Sequence, residues 1–130
     1  MIIGLGVDIV EIGRVERLLA AHGDRAVQRL FTAAEIAYCT GKLRPAQHFA
    51  ARLAAKEATF KALSGSIEAR AISWREIEVC LNADGRPTLA LHGRAAQRAA
   101  ELGTASLWLS MTHDAGAAHA TVLLEGNENR

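Results

Sequence analysis

The sequence predicts a single α+β domain spanning 1–130, with elements in the order βαααββαββ and a mostly antiparallel sheet packed against a long alanine-rich helix. Three observations carry this. Apolar residues alternate with polar ones through the second half of the chain, as half-buried strands require. An alanine-rich stretch opening at Pro45 has almost no β-branched residues and reads as a helix to about Leu63. Glycine-containing turns separate these segments at short intervals, and no repeat, linker or low-complexity tract interrupts them.

The first element, Ile2 to Asp8, is an apolar run with Gly4 and Gly6 on one face, a buried strand ended by Asp8. Val15, Leu18, Leu19 and His22 then recur at helical spacing, and Gly23 closes that helix. Thr32 followed by Glu35 forms a capping box, with Phe31 and Ile36 placed as a hydrophobic staple, and the helix they start ends at Gly41. In the long helix, Phe49, Leu53, Phe60 and Leu63 make one apolar stripe. Lys56 falls inside the stripe, and Glu57 and Lys61 lie one turn apart at its edge. Ile77, Val79 and Leu81 alternate as a strand, Asn82–Gly85 turns the chain, and Leu89 and Leu91 continue in a returning strand. Gly93 to Leu102 reads as a short helix closed by Gly103. Leu107, Leu109 and Met111 mark a strand ending at His113, and Ala118, Ala120, Val122 and Leu124 mark the last strand. Residues 126–130 read as a polar, fraying tail.

Composition narrows the classes of function. Half of the residues are hydrophobic and 22% are charged, as in a globular protein. No apolar run reaches the roughly 18 residues of a membrane span. The N-terminus has no cationic lead and meets Asp8 early, unlike a signal peptide. Cys39 and Cys80 stand far apart, which predicts reduced, buried thiols in a cytoplasmic protein and no clustered zinc site. The net charge of +1 hides an asymmetry: Ile12–Lys61 holds nine Lys or Arg against four Asp or Glu, and the rest from Ala62 holds six against eight. A local basic surface of this kind suits anionic small molecules or an acidic protein, not nucleic acid.

Three places are more polar than their pattern position warrants: Asp8 at a strand end, Lys56, Glu57 and Lys61 on the long helix, and Ser110, Thr112 and His113 at the end of another strand. A carboxylate at a strand end and another on a packed helix can converge on one cation, and magnesium needs only one or two carboxylates beside water and phosphate oxygens. Lysines nearby would neutralise those phosphates, which together describes metal-assisted phosphoryl transfer. Each feature also has an ordinary structural reading. Asp8 with Glu11 could cap a helix, Glu57 and Lys61 could be a surface ion pair, Lys56 could snorkel outward, and His113 could be structural.

The segments Gly6–Ile12, Phe31–Glu35 and Ala51–Leu63, followed by Ser110–His113 and the alternation Ala118, Ala120, Val122, resemble the signature segments of the holo-acyl-carrier-protein synthases. They arrive in that family's order and span nearly the whole chain, whose length fits the short, bacterial-type 4'-phosphopantetheinyl transferases. The resemblance implies that fold and a magnesium-dependent transfer of phosphopantetheine from coenzyme A to a serine of apo-acyl carrier protein, in support of fatty acid biosynthesis. It implies a homotrimer with active sites between subunits. Asp8 and Glu57 would bind magnesium; Lys61, with Lys56 and Arg52, would face phosphate groups; His113 would reach the coenzyme from the adjacent subunit. The helix after Asp8 would dock the acidic carrier through Arg14, Arg17 and Arg25. Two departures stand out. Relatives usually follow the long helix with Gly-Thr-Gly, where this chain has Ser64-Gly65-Ser66, so that Gly65 keeps one flexible position beside the coenzyme. They also tend to read Ser-x-Ser-His, where Thr112 here keeps the hydroxyl.

The serine proton needs an acceptor. Glu57, acting directly or through a water, is the candidate, and Glu35 is a rival already occupied by its capping box. Two further classes fit parts of the pattern. A non-catalytic coenzyme A or nucleotide-binding module would not need paired carboxylates, and a metal-dependent phosphodiesterase would hydrolyse coenzyme A with no protein acceptor.

Overall fold

The computed structural model describes residues 1–128 and contains β1 (Ile2–Glu11), α1 (Ile12–Leu30), α2 (Ala33–Thr40), α3 (Pro45–Leu63), β2 (Ile77–Leu81), β3 (Pro87–Leu91), α4 (Gly93–Glu101), β4 (Thr104–Asp114) and β5 (Ala117–Gly126). That is the expected order, with two 3-10 turns at Glu68–Ala71 and Trp74–Glu76 added after α3. Among the described residues no helix is long and apolar enough to cross a membrane.

The strands form two antiparallel sheets, β1-β5-β4 and β2-β3. The small sheet stops at β2 because side chains occupy polar groups that another strand would use. The Val79 N–H donates to Glu35 Oε2 at 2.8 Å, and the Ile77 carbonyl accepts from the Lys56 ammonium.

In the larger sheet, the rows Gly4–Leu124–Leu107, Gly6–Val122–Leu109 and Asp8–Ala120–Met111 share the face turned to α3. Alanines and larger apolar residues of α3 meet this face, and Phe49, Ala54, Ala58 and Leu63 are buried against Val10, Val122 and Leu124 in the core. Contact between β1 and α3 is backbone to backbone. A Cβ built on Gly6 would stand 1.8 Å from the Ala58 carbonyl oxygen, and one on Gly4 would stand 2.7 Å from that of Ala62. Only glycine permits this approach. The opposite face carries the rows Leu5–Leu123–Trp108, Val7–Thr121–Ser110 and Ile9–His119–Thr112. Leu5, Val7, Ile9 and Trp108 are exposed there.

Several expected boundaries shift. Asp8 does not end β1, which runs on to Glu11, so Asp8 caps no helix; Glu11 precedes α1 without a side-chain capping bond. Gly23 breaks α1 with non-helical angles, but the chain resumes the helix to Leu30. The Thr32–Glu35 capping box forms as expected. Gly126 belongs to β5 and bonds to Met1 through both backbone groups, so the expected tail begins later, and its last residues, 129–130, lie outside the described residues. Cys39 is buried, and burial pushes its thiol up to about 11; Cys80 is only half-buried, against the expectation of two buried thiols.

Candidate active site

The glycine-tight seam between β1 and α3 fixes the polar groups that follow it. Two residues beyond Gly6, Asp8 points to the same face and meets Glu57 and Lys61 of the helix. The Lys61 ammonium donates to Asp8 Oδ1 and to the Val7 carbonyl, each at 2.9 Å. Lys61 therefore pairs across the seam with Asp8, and the ordinary i, i+4 ion pair with Glu57 does not form. Arg14 of α1 stands 4.0 Å from Glu57 Oε1.

Asp8 and Glu57 face one another and titrate apart. Burial alone would raise Asp8, but hydrogen bonding to Glu57 and Lys61, with the lysine's charge, outweighs it and holds the carboxyl below its usual range. Burial pushes Glu57 up to about 7, and the hydrogen bond and negative charge of Asp8 add to that push. The second oxygen, Asp8 Oδ2, is buried and has no hydrogen-bond partner other than the Glu57 carboxyl, which can donate only while it holds a proton. An orphaned buried carboxylate oxygen beside a second, half-buried carboxyl is a place that wants a cation. Among the described residues no cluster of three or more His, Cys, Asp or Glu surrounds it. The donor set of two carboxylates therefore fits magnesium, a hard ion that takes its remaining oxygens from water and phosphate.

Two residues expected to face phosphates lie in the interior. Lys56 is fully buried: its ammonium pairs with Glu35 Oε1 at 2.8 Å and donates to the carbonyls of Trp74, at 3.0 Å, and Ile77. All three N–H donors are used, so none is left for a ligand. Burial pulls the ammonium's pKa down, and Glu35 opposes the pull. The same partnership removes Glu35 as a rival base, because its two oxygens serve Lys56, the Thr32 N–H and the Val79 N–H. Arg52 is 3% exposed, and its guanidinium lies over the Tyr38 ring at 4.1 Å.

The other predicted residues stand in separate hollows. Arg14 and Arg17 line one of about 440 Å³ that reaches Glu57 and is walled by Leu18, Leu53 and Trp74. Arg25 and Arg29 line an adjoining hollow that shares Leu18, His22, Leu30 and Trp74. His113 lines a third, of about 750 Å³, with Arg44 and Gln47, and its Nε2 is 3.1 Å from Gln47 Nε2. Thr112 turns to the opposite face of the sheet, in the row of Ile9 and His119. Gly65, at φ 111°, lines a fourth hollow with Phe60, Ser66 and Arg70. One chain thus brings Asp8, Glu57, Lys61 and Arg14 together and leaves His113 and Gly65 at other openings. Sequence reasoning passed over Trp74, Arg44 and Gln47. A lone tryptophan in a 3-10 turn gives no periodic signal, and Arg44 and Gln47 flank a helix start already explained by Pro45.

An α+β fold with paired carboxyls at a strand–helix seam and basic residues around them can accommodate phosphoryl-transfer chemistry. Comparison with known sequences is narrower. The sequence model of the 4'-phosphopantetheinyl transferase superfamily matches residues 4–122, and the chain belongs to that family. It is 46% identical to a holo-[acyl-carrier-protein] synthase of Geobacter sp. (strain M21) over 125 residues, covering 96% of this chain and 99% of that one. It is also 46% identical over 129 residues to the synthase of Anaeromyxobacter sp. (strain K), covering 97% and 98%. Among solved structures, the holo-[acyl-carrier-protein] synthase of Neisseria meningitidis superposes with a TM-score of 0.84 at 31% identity, over 96% of this chain and 99% of that one. The Bacillus anthracis str. Ames synthase in complex with CoA (3',5'-ADP) superposes at 0.77 with 32% identity, over 98% and 99%.

Proposed function

We propose that this chain transfers the 4'-phosphopantetheine arm of coenzyme A to a serine of an apo-acyl carrier protein, a step that supports fatty acid biosynthesis. The observation that carries the proposal is the Asp8–Glu57 pair, with one buried oxygen unpartnered, in a chain that matches holo-[acyl-carrier-protein] synthases over nearly its full length. A carrier serine oxygen would attack the β-phosphorus of coenzyme A, forming the new P–O bond. The bond to the bridging oxygen breaks, and adenosine 3',5'-bisphosphate leaves with the electron pair. Magnesium, when bound, supplies charge neutralisation on the pyrophosphate, and Asp8 and Glu57 are the residues to hold it. Lys61, more than half exposed beside Asp8, adds a point charge for a phosphate oxygen. Glu57, directly or through a water, is the residue proposed to accept the serine proton.

Arg14, Arg17 and Arg25 border adjoining apolar hollows, a surface that fits an acidic amphipathic helix of the carrier. The exposed Leu5, Val7, Ile9 and Trp108 support association of chains through the outer sheet face, in keeping with a homotrimer. His113 lines a hollow distinct from that of Glu57, which agrees with a site completed by a neighbour's His113. Unpaired cysteines agree with a cytoplasmic location. The test is to mix the protein with apo-acyl carrier protein, coenzyme A and magnesium and to weigh the carrier by mass spectrometry. One added phosphopantetheine is the expected result. Coenzyme A hydrolysis with an unmodified carrier, or binding without turnover, would overturn the reading.

A further inference from the structure

The turn after α3 is not held by its own residues alone. Arg98, on α4, lies 35 residues away in sequence, and its Nε donates to the Leu63 carbonyl at 2.8 Å. One terminal nitrogen donates to the Ser64 carbonyl at 3.0 Å, and the other pairs with Glu101 at 3.3 Å. The arginine side chain is only 12% exposed; its bond to Leu63 is partly buried, while those to Ser64 and Glu101 are open to water. Both carbonyls belong to the end of α3, where the last backbone oxygens have no intrahelical partner and the helix dipole is negative. A guanidinium is suited to this place: it is planar, permanently charged and able to bond two acceptors at fixed spacing.

The clamp bears directly on Gly65. That residue takes φ 111°, a conformation that side-chain-bearing residues rarely adopt, and a Cβ built on it would stand 3.4 Å from the same Arg98 nitrogen that holds Ser64. Two local bonds complete the turn: Ser64 Oγ donates to the Lys61 carbonyl at 2.7 Å, and the Ala69 N–H donates to Ser66 Oγ at 3.1 Å. Ser64, Gly65 and Ser66 then form one wall of a hollow of about 640 Å³ that also contains Phe60 and Arg70. Lys61 starts one turn earlier on the same helix. Displacing the end of α3 would therefore move the wall relative to the Asp8–Lys61 pair.

We propose that Arg98 is a positioning residue for coenzyme A: by binding the Leu63 carbonyl at the end of α3 and the Ser64 carbonyl just past it, Arg98 fixes the Ser64–Gly65–Ser66 turn as the wall against which the coenzyme rests. The proposal rests on the transferase reading given above. Coenzyme affinity in this chain then depends on a side chain from α4, outside the α3 segment that carries Glu57 and Lys61. The turn's shape is thus set jointly by the clamp, by Gly65 and by the hydroxyl bonds of the two serines that flank it.

Arg98→Met, Arg98→Lys and Glu101→Gln test this, with steady-state kinetics varied separately in coenzyme A and in apo-carrier. Arg98→Met is expected to raise KM for coenzyme A about tenfold, the scale of one lost charge-assisted hydrogen bond, while kcat and the carrier KM change less than about twofold. Arg98→Lys, whose ammonium bonds without the planar fork, should fall between, and Glu101→Gln should match wild type. Amide hydrogen exchange at Gly65 and Ser66 reads the clamp without any coenzyme and should accelerate in Arg98→Met. Faster exchange with an unchanged coenzyme KM would make Arg98 purely structural and overturn the proposal; unchanged exchange would overturn it as well. If Arg98→Met does not fold, the same two readouts in Arg98→Lys decide. A wild-type protein that binds no coenzyme A in a direct calorimetric titration removes the transferase reading itself, and that result is known before any variant is made.

Discussion

Lys56 and Glu57 are neighbours on α3, yet one anchors a closed polar cluster and the other an open one. Lys56 turns inward, where its ammonium meets one carboxylate and two carbonyls, and Glu35 spends both oxygens on Lys56 and two backbone N–H groups. Glu57 turns toward β1, where it and Asp8 share too few donors: Asp8 Oδ2 has none besides a proton on Glu57, and the Glu57 carboxyl is pushed up to about 7, by burial first and by Asp8 second. Both clusters are made of charged groups partly removed from water. A satisfied cluster stabilises, whereas an unsatisfied pair of carboxyls holds free energy that a cation or a proton can release. Polarity on a packed helix is thus no guide to function by itself; the count of remaining partners is.

The largest effect should come from breaking the open cluster. Asp8→Ala and Glu57→Ala are each expected to lower the transfer rate by about a hundredfold or more while leaving the fold intact, because on the proposed reading each removes a carboxylate that would hold magnesium. Turnover by mass spectrometry together with thermal unfolding checks both halves. Normal turnover in either variant would erase the distinction between the two clusters.

The closed cluster should respond in the opposite sense. Glu35→Ala leaves a buried ammonium without its counter-ion and two backbone N–H groups without acceptors, at a cost of about 3–5 kcal/mol. Pairing Glu35→Gln with Lys56→Met removes both charges and should recover part of that loss. Denaturant unfolding measures each term. If the single variant were as stable as wild type, the Lys56–Glu35 pair would contribute nothing to the fold.

Charge at the mouth of the open cluster should have a smaller, more selective effect. Arg14 lies 4.0 Å from Glu57 and lines the hollow shared with Arg17. Arg14→Glu is expected to raise KM for the carrier about tenfold, with little change in KM for coenzyme A, and rising salt should weaken the wild-type reaction. Equal movement of both constants would place α1 outside the carrier-docking surface.

How much of this was legible follows the range of the interactions. Alternation along β4 and β5 could be read because one face of a sheet meets a helix, and the Thr32–Glu35 box because its two partners are three residues apart. Asp8, Glu57 and Lys61 were singled out because charged residues sat where an apolar pattern called for others. The fate of Lys56 was not legible: its acceptors, Glu35, Trp74 and Ile77, come from three other places in the chain, one a 3-10 turn with no periodic signature. For the same reason local sequence predicts neither the two separate sheets nor the length of β1, which depends on β5 being its partner as far as Glu11. Gly4 and Gly6 marked a buried strand, but that they admit the backbone of α3, and so set the position of Asp8, needs the packed structure.

A further carboxylate sharpens the comparison from the satisfied side, with the smallest expected effect. Glu76 Oε2 accepts from the Arg94 and Ala95 N–H groups at the start of α4, and Oε1 accepts from the Ser73 N–H and hydroxyl at 3.1 and 3.0 Å. Burial pushes its carboxyl up, but the bonds from Ser73, Ala95 and Arg94 outweigh that and hold it below the usual glutamate value, the opposite of Glu57. The sign of the pH effect follows. Between the lowered folded value and the ordinary one, the unfolded chain binds more protons, so Glu76 contributes stability that is fully present above the ordinary value and is lost as pH falls through the folded one. Glu76→Gln keeps one acceptor and a similar shape but cannot carry the charge at the helix N-terminus. It should destabilise the protein by about 1 kcal/mol near pH 7, and the difference from wild type should shrink toward zero on acidification below about pH 4. Denaturant unfolding at several pH values checks this. A difference that stayed constant with pH would show that packing, not charge, is what Glu76 gives to α4.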